Sequence, residues 1–288
     1  MHEEDGTGNK YVDLHIHTSY SDGECSVRSI FEIAQNKELR AISITDHDNI
    51  DANILALQIG DETGIEVITG TELSLEINGV DVHILGYLVD VNNITLKNKL
   101  QEMKEARFIR AKKIVQNLNH QGIDLRFETV LKIAGNGAIG RPHIATAMLN
   151  EELIYSFKEA FDKYIGYNAP AYEEKLKMTP KEVFRLILDA GGIPVLAHPG
   201  VTRIDQLIPQ FIKAGLCGLE VYHPEHNSSA KRYYREYCRK KNLVITGGSD
   251  FHSLTQSKVE IGIPKLQYSI VKNLKIKRDS IHGKRNDI

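Results

Sequence analysis

Residues 11–48 read YVDLHIHTSYSDGECSVRSIFEIAQNKELRAISITDHD, and this stretch decides the fold class. Tyr11–His17 reads as a strand that ends in a turn through Ser21-Asp22-Gly23. Residues 26–37 then set Val27, Ile30, Phe31 and Ala34 at helical spacing behind a Ser26 cap. Leu39–Thr45 is a second strand running into Asp46-His47-Asp48. Strand, crossover helix, strand is the repeating unit of an α/β fold. Working outward, residues 50–60 give another helix and Glu66–Glu76 a third strand. Asn78-Gly79 marks a two-residue hairpin leading into Val80–Val89.

The pattern then changes. Residues 97–119 predict a long helix with seven Lys or Arg against two Glu. Further helical segments, interrupted at Gly135–Gly137 and Gly140-Arg141-Pro142, run to about residue 167, and no convincing buried strand occurs between 95 and 190. Strand–helix alternation returns with a helix at 180–190, strands at Ile193–Ala197, Leu216–Tyr222 and Leu243–Thr246, and helices near 204–214 and 228–241. Seven strands with crossovers point to a relative of the α/β barrel. Residues 1–92 and 180–288 would form it, and residues 93–179 would be a helical insertion between strands 4 and 5. The last 18 residues, with six basic and two acidic side chains, read as a solvated tail.

Composition narrows the function classes. Lys and Arg number 36 against 38 Asp and Glu, a near balance that argues against a general nucleic-acid coat. The three cysteines, Cys25, Cys217 and Cys238, lie far apart, so a disulfide framework is not expected and a reducing compartment fits better. Residues 1–10 lack the apolar core of a signal peptide, and no apolar run reaches membrane-spanning length. The expectation is a cytoplasmic protein with no membrane contact and no obligate protein partner.

Histidines and carboxylates at strand ends carry the chemistry. His15 and His17 are two apart in a strand and share a face. Asp22 follows in the turn, His47 ends the second strand, and Glu72 lies in the third. A two-residue turn at Asn78-Gly79 pairs Ile77 with Val80, Glu72 with Leu85 and Ser74 with His83. Glu72 and His83 then share a face on a diagonal. His198 ends a later strand, and Asp250 and His252 repeat the two-residue spacing after the last. One ion of four to six ligands cannot use nine side chains, so two or three divalent ions are expected. Imidazole and carboxylate without thiolate favour manganese, iron or zinc.

The motifs DLHIHTSYSDG, SITDHD, GTELS, DVHILGY, LAHPG and GSDFH occur in order between residues 13 and 252. As a set they resemble the PHP (polymerase and histidinol phosphatase) superfamily. The resemblance implies a distorted (β/α)7 barrel with a trinuclear metal centre. It implies that His15, His17, Glu72 and Asp250 hold one ion, that Glu72 bridges to a second held with His83 and His198, and that Asp22, His47 and His252 hold the third. The Gly-Arg-Pro-His-Ile-Ala stretch at 140–145 resembles stand-alone members that act on nucleoside 3′,5′-bisphosphates or trim short RNA.

The expected reaction is phosphomonoester hydrolysis by metal-activated hydroxide on a small nucleotide, most simply a nucleoside 3′,5′-bisphosphate. No protein nucleophile is assigned. Arg141 and His143 are candidate substrate contacts, joined by Arg107, Arg110 and His223, while His226 is expected to face solvent. The competing readings are 5′-3′ exonucleolytic cleavage of short oligonucleotides, histidinol-phosphate hydrolysis, an amidohydrolase-type C–N hydrolase, and a metal-binding module without activity.

Overall fold

The computed structural model describes residues 11–135, 137–254 and 259–283; the readings of residues 1–10 and 284–288 fall outside them. Strands β1 (Tyr11–Ile16), β2 (Leu39–Ile44) and β3 (Glu66–Val67) are parallel, with α1 (Val27–Asn36) and α2 (Ala52–Thr63) as crossovers. Ser26 caps α1 by accepting the Ser29 N–H, as its sequence suggests. β4 (Gly70–Ile77) and β5 (Val80–Tyr87) form the hairpin, and its register matches the counting from Asn78-Gly79: Glu72 opposite Leu85, Ser74 opposite His83. β6 (Ile193–Leu196), β7 (Gly218–Tyr222) and β8 (Val244–Gly247) extend it to the order β4-β5-β6-β7-β8.

Two expectations are corrected here. Glu66–Glu76 is not one strand: the chain leaves the first sheet after Val67 and joins the second at Gly70. The cause is local. Asn53 donates to the Gly70 carbonyl and accepts its N–H, both at 2.9 Å, so a side chain replaces the ladder at that point. A Cβ on Gly70 would lie 2.5 Å from Ser43 Oγ, so only glycine allows the strands to pass so closely. The seven strands also do not close into a barrel ladder among the described residues. A ninth strand, β9 (Leu266–Gln267), pairs antiparallel with β1 in the order β3-β2-β1-β9 and occupies the start of its outer edge, at Tyr11 and Val12. The two sheets meet instead through the single bridges Ile16↔Phe251 and His47↔Glu72. The fold is mixed α/β.

No strand occurs among the described residues between 94 and 192. The segment comprises α3 (Ile94–His120), α4 (Phe127–Ala134), α5 (Arg141–Asn150), α6 (Phe157–Glu159), a π turn (Ala160–Ile165) and α7 (Pro180–Asp189). Leu96, Leu100 and Met103 of α3 pack into the sheet core, whereas Ile114, Val115 and Leu118 pack with α4 and α5 in a core of their own. After β6 come α8 (Pro199–Thr202), α9 (Ile208–Ala214) and α10 (Ser228–Lys241). The expected solvated tail is instead α11 (Ser269–His282), whose Ile270, Val271 and Leu274 are buried against the β1/β6 side of the core. Its charges occupy the outer face only, which net charge alone could not reveal.

Candidate metal centre and substrate cavity

The ends of β1, β2, β6 and β8, with Glu72 of β4 and His83 of β5, converge on one pocket. Four atoms form its inner group: His15 Nε2, His17 Nε2, Glu72 Oε2 and Asp250 Oδ1. Five of the six separations between them are 3.1–3.2 Å. A tetrahedron with such edges has its centre about 2.0 Å from each corner, the length of a transition-metal bond to imidazole or carboxylate.

Hydrogen bonding fixes what those atoms present. His15 Nδ1 lies 2.9 Å from Glu220 Oε1, and a carboxylate can only accept, so Nδ1 carries a hydrogen and Nε2 is the nitrogen turned to the inner group. Nε2 faces two carboxylate oxygens and another imidazole, an arrangement that calls for positive charge. Burial disfavours charge on His17, yet its bonds to Asp250 and Glu72 push its pKa up to about 10. Burial likewise opposes charge on His15, but Glu220, Asp250 and Glu72 hold it well above the usual imidazole value. Burial would raise Glu72, and the charges of His15, His47 and His83 outweigh that and hold it well below the usual carboxylate range.

Glu72 is the hub. Its Oε1 lies 3.1 Å from His83 Nδ1 and 3.3 Å from His198 Nε2, and its Oε2 lies 3.2 Å from His47 Nδ1. Asp22 collects the outer group, with His17 Nδ1 and His47 Nε2 at 3.7 Å and His252 Nε2 at 3.5 Å. The His17 ring thus faces two groups, one through each nitrogen. Four buried atoms here, His17 Nδ1, Asp22 Oδ1, His47 Nδ1 and His198 Nδ1, lack a hydrogen-bond partner. Orphaned buried atoms and metal-length spacing together fit divalent cations. All nine residues singled out in the sequence are brought together.

Several supporting residues escaped the sequence reading. Glu220 is fully buried; besides His15 it accepts the His198 N–H at 2.8 Å, so one carboxylate serves two rims. An acid inside the apolar run LEVY (219–222) was the available signal, because a buried charge needs a purpose. Asp46 accepts from Thr18 N–H, Thr18 Oγ1 and Ser21 Oγ, each at 2.7 Å, and so folds the turn that delivers Asp22. Asp13 accepts the Ser249 and Gly262 N–H groups at 2.9 and 2.7 Å, holding the approach to Asp250.

The candidate substrate contacts divide. Arg107 is committed to Asp48 and to Ser74 Oγ, and Arg110 donates through Nε to the Glu173 carbonyl at 2.8 Å. Arg141 pairs with Asp81, which also meets Lys175 Nζ at 2.8 Å, and it donates to the Ile165 carbonyl. Arg107 and Arg141 therefore fasten the helical segment to the hairpin, Arg110 ties α3 to Glu173 within that segment, and none of the three lines the mouth of the ion cluster. Only His143 and His223 line open space beside the cluster. Arg141→Ala should lower stability by about 1–2 kcal/mol, discounted for the exposure of Asp81. It should reduce kcat/KM for a bisphosphate and an aryl phosphate alike; a KM rise confined to the bisphosphate would return Arg141 to the substrate.

Ser74, Ser249 and Cys217 are each engaged in ordinary structural contacts rather than set up as nucleophiles. Ser74 Oγ accepts from Arg107, Ser249 Oγ donates to the His15 carbonyl at 3.3 Å, and Cys217 is buried against the Gly215 carbonyl. A pocket of about 240 Å³ forms the mouth of the cluster, and a cavity of about 750 Å³ lies beside it. Asp22, Pro142 and His252 line both, and Tyr20, His143 and Phe157 line the larger.

The model of the PHP domain family matches residues 13–169, more than half of the chain. The chain belongs to the PHP domain family. Along most of its length this PHP domain is similar to a phosphoribosyl 1,2-cyclic phosphate 1,2-diphosphodiesterase of Eggerthella lenta, 26% identical over 83% of this chain and 93% of the relative. It is also similar to a 3′,5′-nucleoside bisphosphate phosphatase of Chromobacterium violaceum, 27% identical over 87% of this chain and 90% of the relative. A 5′-3′ exoribonuclease of Salmonella typhimurium is 26% identical over 83% of this chain and 84% of that protein. Among solved structures, one from Bifidobacterium adolescentis described as a metal-dependent phosphoesterase superposes with a TM-score of 0.83 at 27% identity, covering 92% of this chain and 96% of that one. Among the described residues no helix is long and apolar enough to cross a membrane.

Proposed function

We propose that this PHP-family phosphoesterase is a phosphoric monoester hydrolase that removes one phosphate from a small nucleotide, with a nucleoside 3′,5′-bisphosphate as the preferred substrate. The observation that carries the reading is the shared lining of mouth and cavity. A phosphate seated at the cluster leaves its organic portion facing a space of about 750 Å³, within the range of small-molecule sites. The bisphosphate phosphatase among the relatives supports the substrate class.

In this reading His15, His17, Asp22, His47, Glu72, His83, His198, Asp250 and His252 hold two or three manganese, iron or zinc ions. Those ions supply the charge that polarises the phosphoryl group and lets water give up a proton near neutral pH. The chain's own residues do the rest. Glu72, with both oxygens engaged, fixes the spacing between ion positions. Asp22 and His252 stand where the cluster meets the cavity and set where the phosphate ends and its organic portion begins. Residues 93–179 act as the cap: Pro142 stands at the cluster's mouth, and His143 and Phe157 line the cavity that takes the organic portion.

A second reading has its own support. Tyr20 and Phe157 in the cavity offer rings on which a base can stack, as trimming of a short oligoribonucleotide from its 5′ end would use. A manganese-supplemented product screen over nucleoside bisphosphates, mononucleotides, a cyclic phosphate diester, histidinol phosphate and a 5′-phosphorylated oligoribonucleotide separates the two. The expected result is inorganic phosphate from the bisphosphate at a kcat/KM at least about tenfold above the others, a difference of about 1.4 kcal/mol. Mononucleotides released from the oligomer, with no phosphate from bisphosphates, would overturn the assignment.

A further inference from the structure

We propose that the turn His223-Pro224-Glu225-His226, which follows β7, is a positioning device for the ion cluster: His226 pins the turn that carries His198, and His223 aims Asp250. The inference rests on the proposal that divalent ions occupy the cluster.

His226 was expected to face solvent, yet it is 3% exposed. Its Nδ1 lies 2.9 Å from the Val221 carbonyl, which can only accept, so Nδ1 carries the hydrogen. Nε2 is then an acceptor, and it takes the Gly200 N–H at 3.0 Å. A neutral ring with both nitrogens occupied thus ties the end of β7 to the second residue after His198. The tie has a mechanical purpose, because His198 sits at φ 28°, a backbone conformation that a residue with a Cβ holds only when its surroundings impose it. Two buried groups impose it from either side: Glu220 accepts the His198 N–H, and His226 accepts the Gly200 N–H. The ring also leaves no slack, since a Cβ on Gly200 would meet His226 Cδ2 at 2.8 Å and Nε2 at 2.9 Å.

His223 carries the opposite tautomer. Its Nδ1 accepts the Glu225 N–H at 3.2 Å, so Nε2 holds the hydrogen and faces Asp250 Oδ2 at 3.2 Å. Asp250 Oδ1 is left for His15 and His17, both at 3.2 Å. Asp250 too has a positive φ, 54°. One four-residue turn therefore steadies two strained rims that are far apart in sequence. The rings of His198, His223 and His226 follow one another at 5.5 and 5.4 Å, a contiguous row leading from the cluster into the turn.

Manganese affinity and stoichiometry, measured on the full chain by equilibrium dialysis with elemental analysis, test the proposal. His226→Ala and Gly200→Ala approach the same contact from opposite sides, and each should weaken manganese binding about 10–100-fold, the usual effect of losing a residue that orients a ligand. Activity lost in these variants should return at saturating manganese. His226→Gln, whose amide oxygen can accept the Gly200 N–H, should recover most of the affinity. His223→Ala should weaken binding without changing KM at saturating manganese. Unchanged affinity in a folded His226→Ala protein would overturn the proposal. So would equal losses in the Ala and Gln variants that persist at saturating metal, or a KM rise in His223→Ala with manganese binding intact. A wild-type chain that binds manganese but hydrolyses no phosphoester would defeat the proposed function and leave the affinity comparison decisive. A wild-type chain that binds none would defeat both.

Discussion

Glu72→Gln should reduce phosphoester hydrolysis by about a thousandfold or more while leaving the chain folded. The substitution keeps the shape of a fully buried side chain and removes the charge on which three imidazole groups converge: His15 and His17, His47, and His83 with His198. An amide oxygen is a poorer ligand than a carboxylate, and the amide nitrogen is none, so the ions lose their common partner. Charge stabilisation by bound metal is worth several kcal/mol, and each 1.4 kcal/mol is a factor of ten in rate. The check is kcat at saturating manganese together with near-ultraviolet circular dichroism. Retention of more than about a tenth of wild-type kcat would remove Glu72 from the centre of the account.

Chelation should abolish activity and lower the melting temperature. Ions that bind only the folded chain stabilise it by about 2.7 kcal/mol per site at a hundredfold excess over Kd. For a chain of this size that is a shift of about 5–10 °C per site. The effect has a direction in pH. His15 and His17 hold protons well above the usual imidazole range, and a cation must displace them. Affinity should therefore rise with pH and fall as acid returns the protons. Differential scanning fluorimetry with EDTA and with added manganese, at pH 6 and pH 8, reads both effects. A melting temperature indifferent to either reagent would contradict the cation assignment.

Much of the site was legible because strand geometry is rigid. The i, i+2 spacing of His15 and His17 puts both rings on one face, and the Asn78-Gly79 turn fixes where His83 stands relative to Glu72 without knowledge of the rest of the chain. The failures share a different cause. Gly70 looks like an ordinary strand residue until Asn53, seventeen positions away, is seen to occupy its hydrogen bonds. β9 is two residues long, too short to show a period, yet it occupies the edge of β1 at Tyr11 and Val12 and leaves only the far end, at Ile16, to meet the chain after β8. Arg141 has the chemistry of a phosphate clamp, and only tertiary placement shows that Asp81 claims it. Glu220, Asp13 and Asp46 act through backbone amides and ring nitrogens, partnerships that leave no spacing signature. The side chains gathered in the pocket were readable; the residues that hold them in place were not.

The central claim is that four rims and a hairpin gather divalent cations into one pocket. Anomalous diffraction from manganese-soaked crystals of this protein tests it most directly. The account predicts two or three peaks within about 4 Å of one another, one of them bounded by His15, His17, Glu72 and Asp250 and the others reached by His83, His198, Asp22, His47 and His252. No peak in that pocket, or manganese bound only at surface carboxylates, would contradict it.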